Sequence, residues 1–225
     1  MAQTQDHELL TAREIVQNLQ NLYQGGRQPE DARLSDRQWL FNLDHHRAQL
    51  LRQQTEKGQK PSELNVQQLL VKVPKQSCGR WYTTTPLPTA IELYKDNLYT
   101  FVGTVYGHAF QKTTAQKAEW EQYARYTSRQ PKWHMLGNTL FLVNPPSPTT
   151  NIIRVDGIFE NPRQALVYAG VELDPLDYLN FPYPISRTAL DTIGKMLLDN
   201  ELKLLTSLPY DRVNDGRELH ENPRA

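Results

Sequence analysis

The sequence predicts an α+β fold: a helical bundle, made of an N-terminal helical hairpin and a long C-terminal helix, with an inserted small antiparallel β-region and an extended C-terminal tail. Three observations predict it. Two capping boxes, each followed by apolar residues at helical spacing, fill the first quarter of the chain. Short β-branched and aromatic runs between turn residues fill the middle. A third capped, periodic segment begins at Ser186 and cannot continue beyond Pro209.

The first helix follows Thr11-Ala12-Arg13-Glu14, a capping box in which Thr and Glu satisfy each other's backbone N–H groups. Ile15, Val16, Leu19, Leu22 and Tyr23 form its stripe, and Gly25-Gly26 stops it. A polar loop leads to Ser35, which caps a second helix with Gln38 three residues on. Trp39, Leu40, Leu43, Leu50 and Leu51 recur on one face, to about Glu56, and Gly58 ends the helix. Arg47 falls on or beside that stripe. A cation there needs a carboxylate or carbonyl partner, in this chain or in a neighbouring subunit. Two helices cannot bury both stripes well, so the hairpin needs a third.

Gln68 to Val73 reads as a strand. Ile91 to Tyr94 and Leu98 to Val102 read as a hairpin around Lys95-Asp96-Asn97. Thr114 to Tyr126 suits a short helix. Trp133 to Leu136 and Thr139 to Val143 flank the two-residue turn Gly137-Asn138, and Asn151 to Val155 is a further strand. Asn161-Pro162-Arg163-Gln164 starts a helix that ends at Gly170. The Ser186 helix carries Leu190, Ile193, Leu197, Leu198, Glu201, Leu202, Leu204 and Leu205 and supplies the third apolar stripe, with Gly194 marking a close crossing. The domain boundaries that follow are 1–62 for the helical hairpin, 63–160 for the β-rich insertion, 161–208 for the helices completing the bundle, and 209–225 for the tail.

Lysine plus arginine and aspartate plus glutamate each number 25, so no global basic field gathers nucleic acid. The single cysteine, Cys78, excludes an internal disulfide and a cysteine-based zinc finger. Mean hydropathy is −0.66, no apolar run reaches membrane-spanning length, and the start lacks a secretory signal. No cofactor motif or metal-ligand spacing stands out.

The triplet Asp44-His45-His46 offers a metal-dependent phosphoesterase reading. Consecutive residues on a helix point about 100° apart, however, so these three would not converge on one ion. Arg80-Trp81-Tyr82, Arg125-Tyr126 and Lys132-Trp133 offer a second alternative, single-stranded nucleic-acid binding by stacking. With zero net charge, the same pairs suit a protein interface better.

Leu34 to Gln54, Leu98 to Gln111 with Tyr126 to Val143, and Ile153 to Ala165 with the Tyr183-led final helix together resemble the head-to-tail connector proteins of short-tailed bacteriophages, the neck or adaptor proteins of N4-like and crAss-like phages. The resemblance covers most of residues 9 to 208. The His45-His46 pair departs from it where an aromatic residue is more usual, as does the polar tail. The resemblance implies a non-catalytic virion protein in the neck, assembled in the host cytoplasm. It implies a homo-oligomeric ring, usually of twelve subunits, bound to the portal protein and to tail tube or nozzle and tail-fibre proteins. Genomic DNA would pass through the channel without sequence-specific binding, and no membrane or cofactor is implied. Arg37, Trp39, Arg47, Arg52, Tyr210 and Arg212 would then serve the subunit or portal interface, with Arg37, Arg47 and Arg52 paired to carboxylates within or between subunits.

Overall fold

A computed structural model describes residues 9–24, 34–75, 81–94, 96, 98–121, 130–145, 152–174, 177–197 and 199. Among them the chain forms helices α1 (Ala12–Gln24), α2 (Asp36–Glu56), α3 (Ala115–Glu121), α4 (Pro162–Tyr168) and α5 (Arg187–Met196). The strands are β1 (Gln67–Lys72), β2 (Trp81–Tyr82), β3 (Tyr99–Thr104), β4 (Gln111–Lys112), β5 (Lys132–Leu136), β6 (Thr139–Val143) and β7 (Ile152–Gly157).

The helix starts follow their caps. Thr11 and Glu14 exchange hydrogen bonds, and Ser35 and Gln38 form a complete capping box. Ser186 accepts from the Ala189 N–H, and Asn161 from the Gln164 N–H with Pro162 in the first turn. Helices α1, α2 and α5 share one core with the segment Leu179 to Ile185. That segment runs beside the entry to α1: the Ala12 N–H donates to Phe181 O, the Arg13 N–H to Leu179 O and the Tyr183 N–H to Leu10 O. Two donors of the first helical turn are thereby satisfied without a further side-chain cap.

The fold is not a helical bundle with a small β-region, as the sequence predicts. The strands make two sheets, ordered β1-β7-β3 and β2-β6-β5-β4. Pairings at Gly103–Ala109 and Lys75–Trp81 stitch them along both edges, so the strands run β1-β7-β3-β4-β5-β6-β2 around one interior. That interior holds fourteen buried residues, from Leu69 and Val71 through Trp133 and Leu140 to Phe159. The helical core also holds fourteen, so the β-region is an equal partner rather than an embellishment. Nor is it wholly antiparallel, because β4 and β5 pair parallel. The physical reason is alternation. In β1 every second residue is buried, which gives a strand one wet and one dry face, and dry faces must close on each other.

Three local expectations change. Ile91 to Tyr94 forms no regular strand: the Ile91 N–H donates to Ile158 O and the Leu98 N–H to Ile91 O, while β3 pairs with β7. Leu22 is exposed rather than part of the α1 stripe. Gly194 faces Leu19, but an added Cβ would stand 3.6 Å from Leu19 Cδ2, an ordinary contact, so the crossing is not especially close. The expected continuation to Leu205, Cys78 and the tail lie outside the described residues.

The close approach lies in β3 instead. A Cβ on Gly103 would stand 2.2 Å from the backbone oxygen of His108, where the chain doubles back. Gly103→Ala is expected to lower unfolding free energy by about 1–3 kcal/mol, the usual cost of overpacking. Gly194→Ala is expected to raise it by about 1 kcal/mol through helix propensity. Urea titration of the two variants checks both signs.

Candidate functional site

Helix α2 sorts its side chains by angle. Trp39, Leu43, His46, Arg47, Leu50 and Leu51 are buried. Arg37, Phe41, His45 and Arg52 are exposed and fall within one arc of about 80° at 100° per residue. Between the two faces, Asp44 sits at a margin and is half-buried.

Arg47 has no exposed surface and is the largest fully buried side chain described. Its Nε–H donates to Pro184 O at 3.0 Å, Nη1 to Phe159 O at 2.8 Å and Nη2 to Asn65 O at 3.3 Å. The guanidinium carbon lies 5.8 Å from the Tyr183 ring centroid, in range of a cation–π contact. The hydrogen-bond partners are therefore carbonyls of its own chain, not the carboxylates that the resemblance implies. Each carbonyl belongs to a segment at an element boundary: Asn65 before β1, Phe159 after β7, Pro184 before α5. A planar fork with fixed N–H directions can hold three such carbonyls at once, which an ammonium cannot. Burying the charge costs several kcal/mol, and three charge-assisted bonds return roughly 1.5–3 kcal/mol each. The two sides are comparable, so the arginine contributes uniqueness of arrangement more than net stability.

Tyr183 links this cation to Asp44. Its hydroxyl donates to Asp44 Oδ1 at 2.7 Å. Burial raises the Asp44 carboxyl to about 6, while the Tyr183 hydrogen bond and the Arg47 charge act the other way. Burial and the neighbouring Asp44 push the Tyr183 phenol well above its ordinary value. Burial also pulls the Arg47 guanidinium down, opposed by Tyr183 and Asp44. At neutral pH Asp44 is thus mostly ionised, and its role is to anchor Tyr183.

The structure does not gather the sequence-level candidates for chemistry into one site, although the rings of His45 and His46 meet edge to face with centroids 5.5 Å apart. Asp44 turns to Tyr183, His45 is exposed and His46 is buried. Among the described residues no group of three His, Cys, Asp or Glu side chains is placed to hold a metal ion. Trp133 is buried and its indole N–H donates to Phe110 O at 3.2 Å, so it offers no stacking surface. Lys132 is buried beside it. Arg80, Arg125 and Tyr126 lie outside the described residues.

The candidate interface residues divide similarly. Trp39 is buried and meets Tyr23 edge to face, with ring centroids 5.9 Å apart. Exposed Arg37 lies 5.2 Å from the Tyr178 ring centroid. Exposed Arg52 pairs with Glu56 at 3.3 Å, a pair worth little in solvent. Tyr210 and Arg212 lie outside the described residues. Sequence reading overlooked two residues. Phe41 is 70% exposed on the Arg37 face, and the sign was an aromatic off the apolar stripe. Tyr183 is fully buried, and the sign was the aromatic–proline run Phe181-Pro182-Tyr183-Pro184.

Comparison with protein families finds one described as phage tail ring protein 2, whose model matches residues 14–220. No curated protein matches the chain.

Two outcomes follow from the cluster. Arg47→Met leaves three buried carbonyls without donors, at about 1–3 kcal/mol each, and relieves the several kcal/mol of charge burial. The net loss expected in urea unfolding is about 1–4 kcal/mol, with Arg47→Lys recovering only part. An acid whose pKa rises on folding binds its proton more tightly in the folded state. Asp44 therefore costs stability as pH rises from about 4 to about 6, by at most about 3 kcal/mol. Asp44→Asn keeps an acceptor for Tyr183 without the charge. The parent's stability relative to this variant should fall by about 2–3 kcal/mol between pH 4 and pH 7, as read from paired urea titrations.

Proposed function

We infer the function from one premise: the chain belongs to the phage tail ring protein 2 family. It is accordingly a structural ring protein of a crAss-like phage tail and a component of the virion. Within that identity we propose a non-catalytic adaptor in the neck, which forms a ring between portal and tail and extends the DNA channel. The ring would hold about twelve copies, by the resemblance, and meet the portal on one side and tail proteins on the other. Assembly would take place in the host cytoplasm before the particle is complete.

The family match over residues 14–220 carries this reading. Two physical features support it. Equal numbers of acidic and basic residues give the protein little grip on DNA that must slide past it. The exposed arc of α2 combines two arginines with an aromatic residue, the composition of interface hot spots. On this reading Arg37 and Arg52, with Phe41 and His45, face the portal or a neighbouring subunit, and the 209–225 tail with Tyr210 and Arg212 reaches an adjacent ring. Asp44 engaged by Tyr183, and no metal-holding group among the described residues, count against the phosphoesterase alternative.

The test is electron microscopy of virions and of portal-bound complexes. A ring of this protein joined to the portal is the expected result; its placement elsewhere in the tail, or its absence from the particle, would remove the adaptor role. Within the same assay, Arg37→Glu combined with Phe41→Glu is expected to leave circular dichroism unchanged and to reduce incorporation into particles at least tenfold.

A further inference from the structure

A cyclic ring joins its subunits head to tail, so each copy needs two different patches that complement each other on opposite flanks. The barrel carries such a pair. On one flank a cleft of about 940 Å3 opens between the outer face of β1, the Thr84–Pro88 loop and α4. Its walls include Leu70 and Val167, apolar side chains 53% and 55% exposed where a barrel exterior would ordinarily be polar. Two cations, Lys72 and Arg163, also line it, and no carboxylate does among the described residues.

The other flank is α3. In the strand order β1-β7-β3-β4-β5-β6-β2, β4 and β5 are the strands most removed from β1. Helix α3 follows β4 and packs on β5. It presents Trp120, which is 77% exposed. In the sequence this tryptophan stands between Glu119 and Glu121, with Lys117 one turn earlier. The cleft is mixed in character, with Thr84, Thr85, Asn161 and Gln164 beside its apolar walls, and its charged side chains are both cations. An exposed indole with acidic sequence neighbours matches it, and an indole beside Lys or Arg adds cation–π attraction. Tryptophan is also the residue most enriched at interface hot spots.

We propose that adjacent copies join by insertion of Trp120 of one copy into the β1–α4 cleft of the next. This rests on the ring reading and supplies its contact. One interface of this kind, repeated by rotation, closes a ring without a second type of contact.

The test uses particles assembled with full-length variants. Lys117→Cys, one turn before Trp120, and Gln164→Cys, at the wall of the cleft, leave Trp120 and Val167 in place. They are combined in one chain with Cys78→Ser, then treated with a short bis-maleimide cross-linker and run on a non-reducing gel. A ladder of self-multiples, absent from either single-cysteine chain, is the expected result. Trp120→Ala, at an exposed site, is expected to keep its circular dichroism spectrum and to lose ring incorporation at least tenfold. A mixture of purified Trp120→Ala and Val167→Glu chains keeps one intact patch on each partner, so it should yield dimers that do not extend. Rings seen by electron microscopy without the ladder, or with Trp120→Ala incorporated normally, would overturn the contact and leave the ring reading standing. Cross-links to a different protein would likewise overturn it. Wild-type particles without any ring of this protein would overturn both.

Discussion

The structure depends on one buried cation. Arg47 lies where three groups of packed side chains meet: the helical core, the barrel interior, and a small cluster of Leu51, Ile91, Leu98 and Ile158 between them. Its three carbonyl partners come from segments 18, 112 and 137 residues away. An apolar side chain at this position could fill the space but could not fix three backbone directions. The guanidinium sets the angle at which α2 enters, the end of β7 and the start of α5, and it sets them together. Asp44 and Tyr183 complete the arrangement, one by a neighbouring charge and one by a ring that touches both groups.

From this junction the two cores follow. On one side, Leu179 to Tyr183 pairs with the residues entering α1 and delivers Phe181 and Tyr183 into the helical core. On the other, Phe159 gives Arg47 its carbonyl and the barrel interior its ring. A subunit that must hold its shape inside a ring benefits from such a joint, because the exposed arc of α2 and the flanks of the barrel are then carried on one rigid frame. Patches that face neighbours keep a constant relative position only if the frame between them does not flex.

Local structure was largely legible in the sequence. The capping boxes at Thr11 and Ser35, the strand near Gln68, the Gly137-Asn138 hairpin and the Asn161 helix start all depend on residues within a few positions of each other. The sequence also marked Arg47 as a cation near a buried stripe. What it could not show was long range. The closing pairings at Lys75–Trp81 and Gly103–Ala109 join runs that each look like minor strands, so the β-region read as small. The Arg47 partners are backbone carbonyls, which carry no residue signature at all. Phe41 was legible as an aromatic off the apolar stripe of its helix, whereas the exposure of Trp120 depends on how α3 packs on β5.

The central claim is that Arg47 makes the helical core and the barrel one cooperative unit. Trp39 reports on the first and Trp133 on the second. Urea unfolding followed by fluorescence, in one chain that keeps only Trp39 and another that keeps only Trp133, measures the two cores separately. The account predicts coincident midpoints in the parent and separated midpoints once Arg47 is replaced by Met. Coincident midpoints in the Met variant, at the parent's urea concentration, would contradict it.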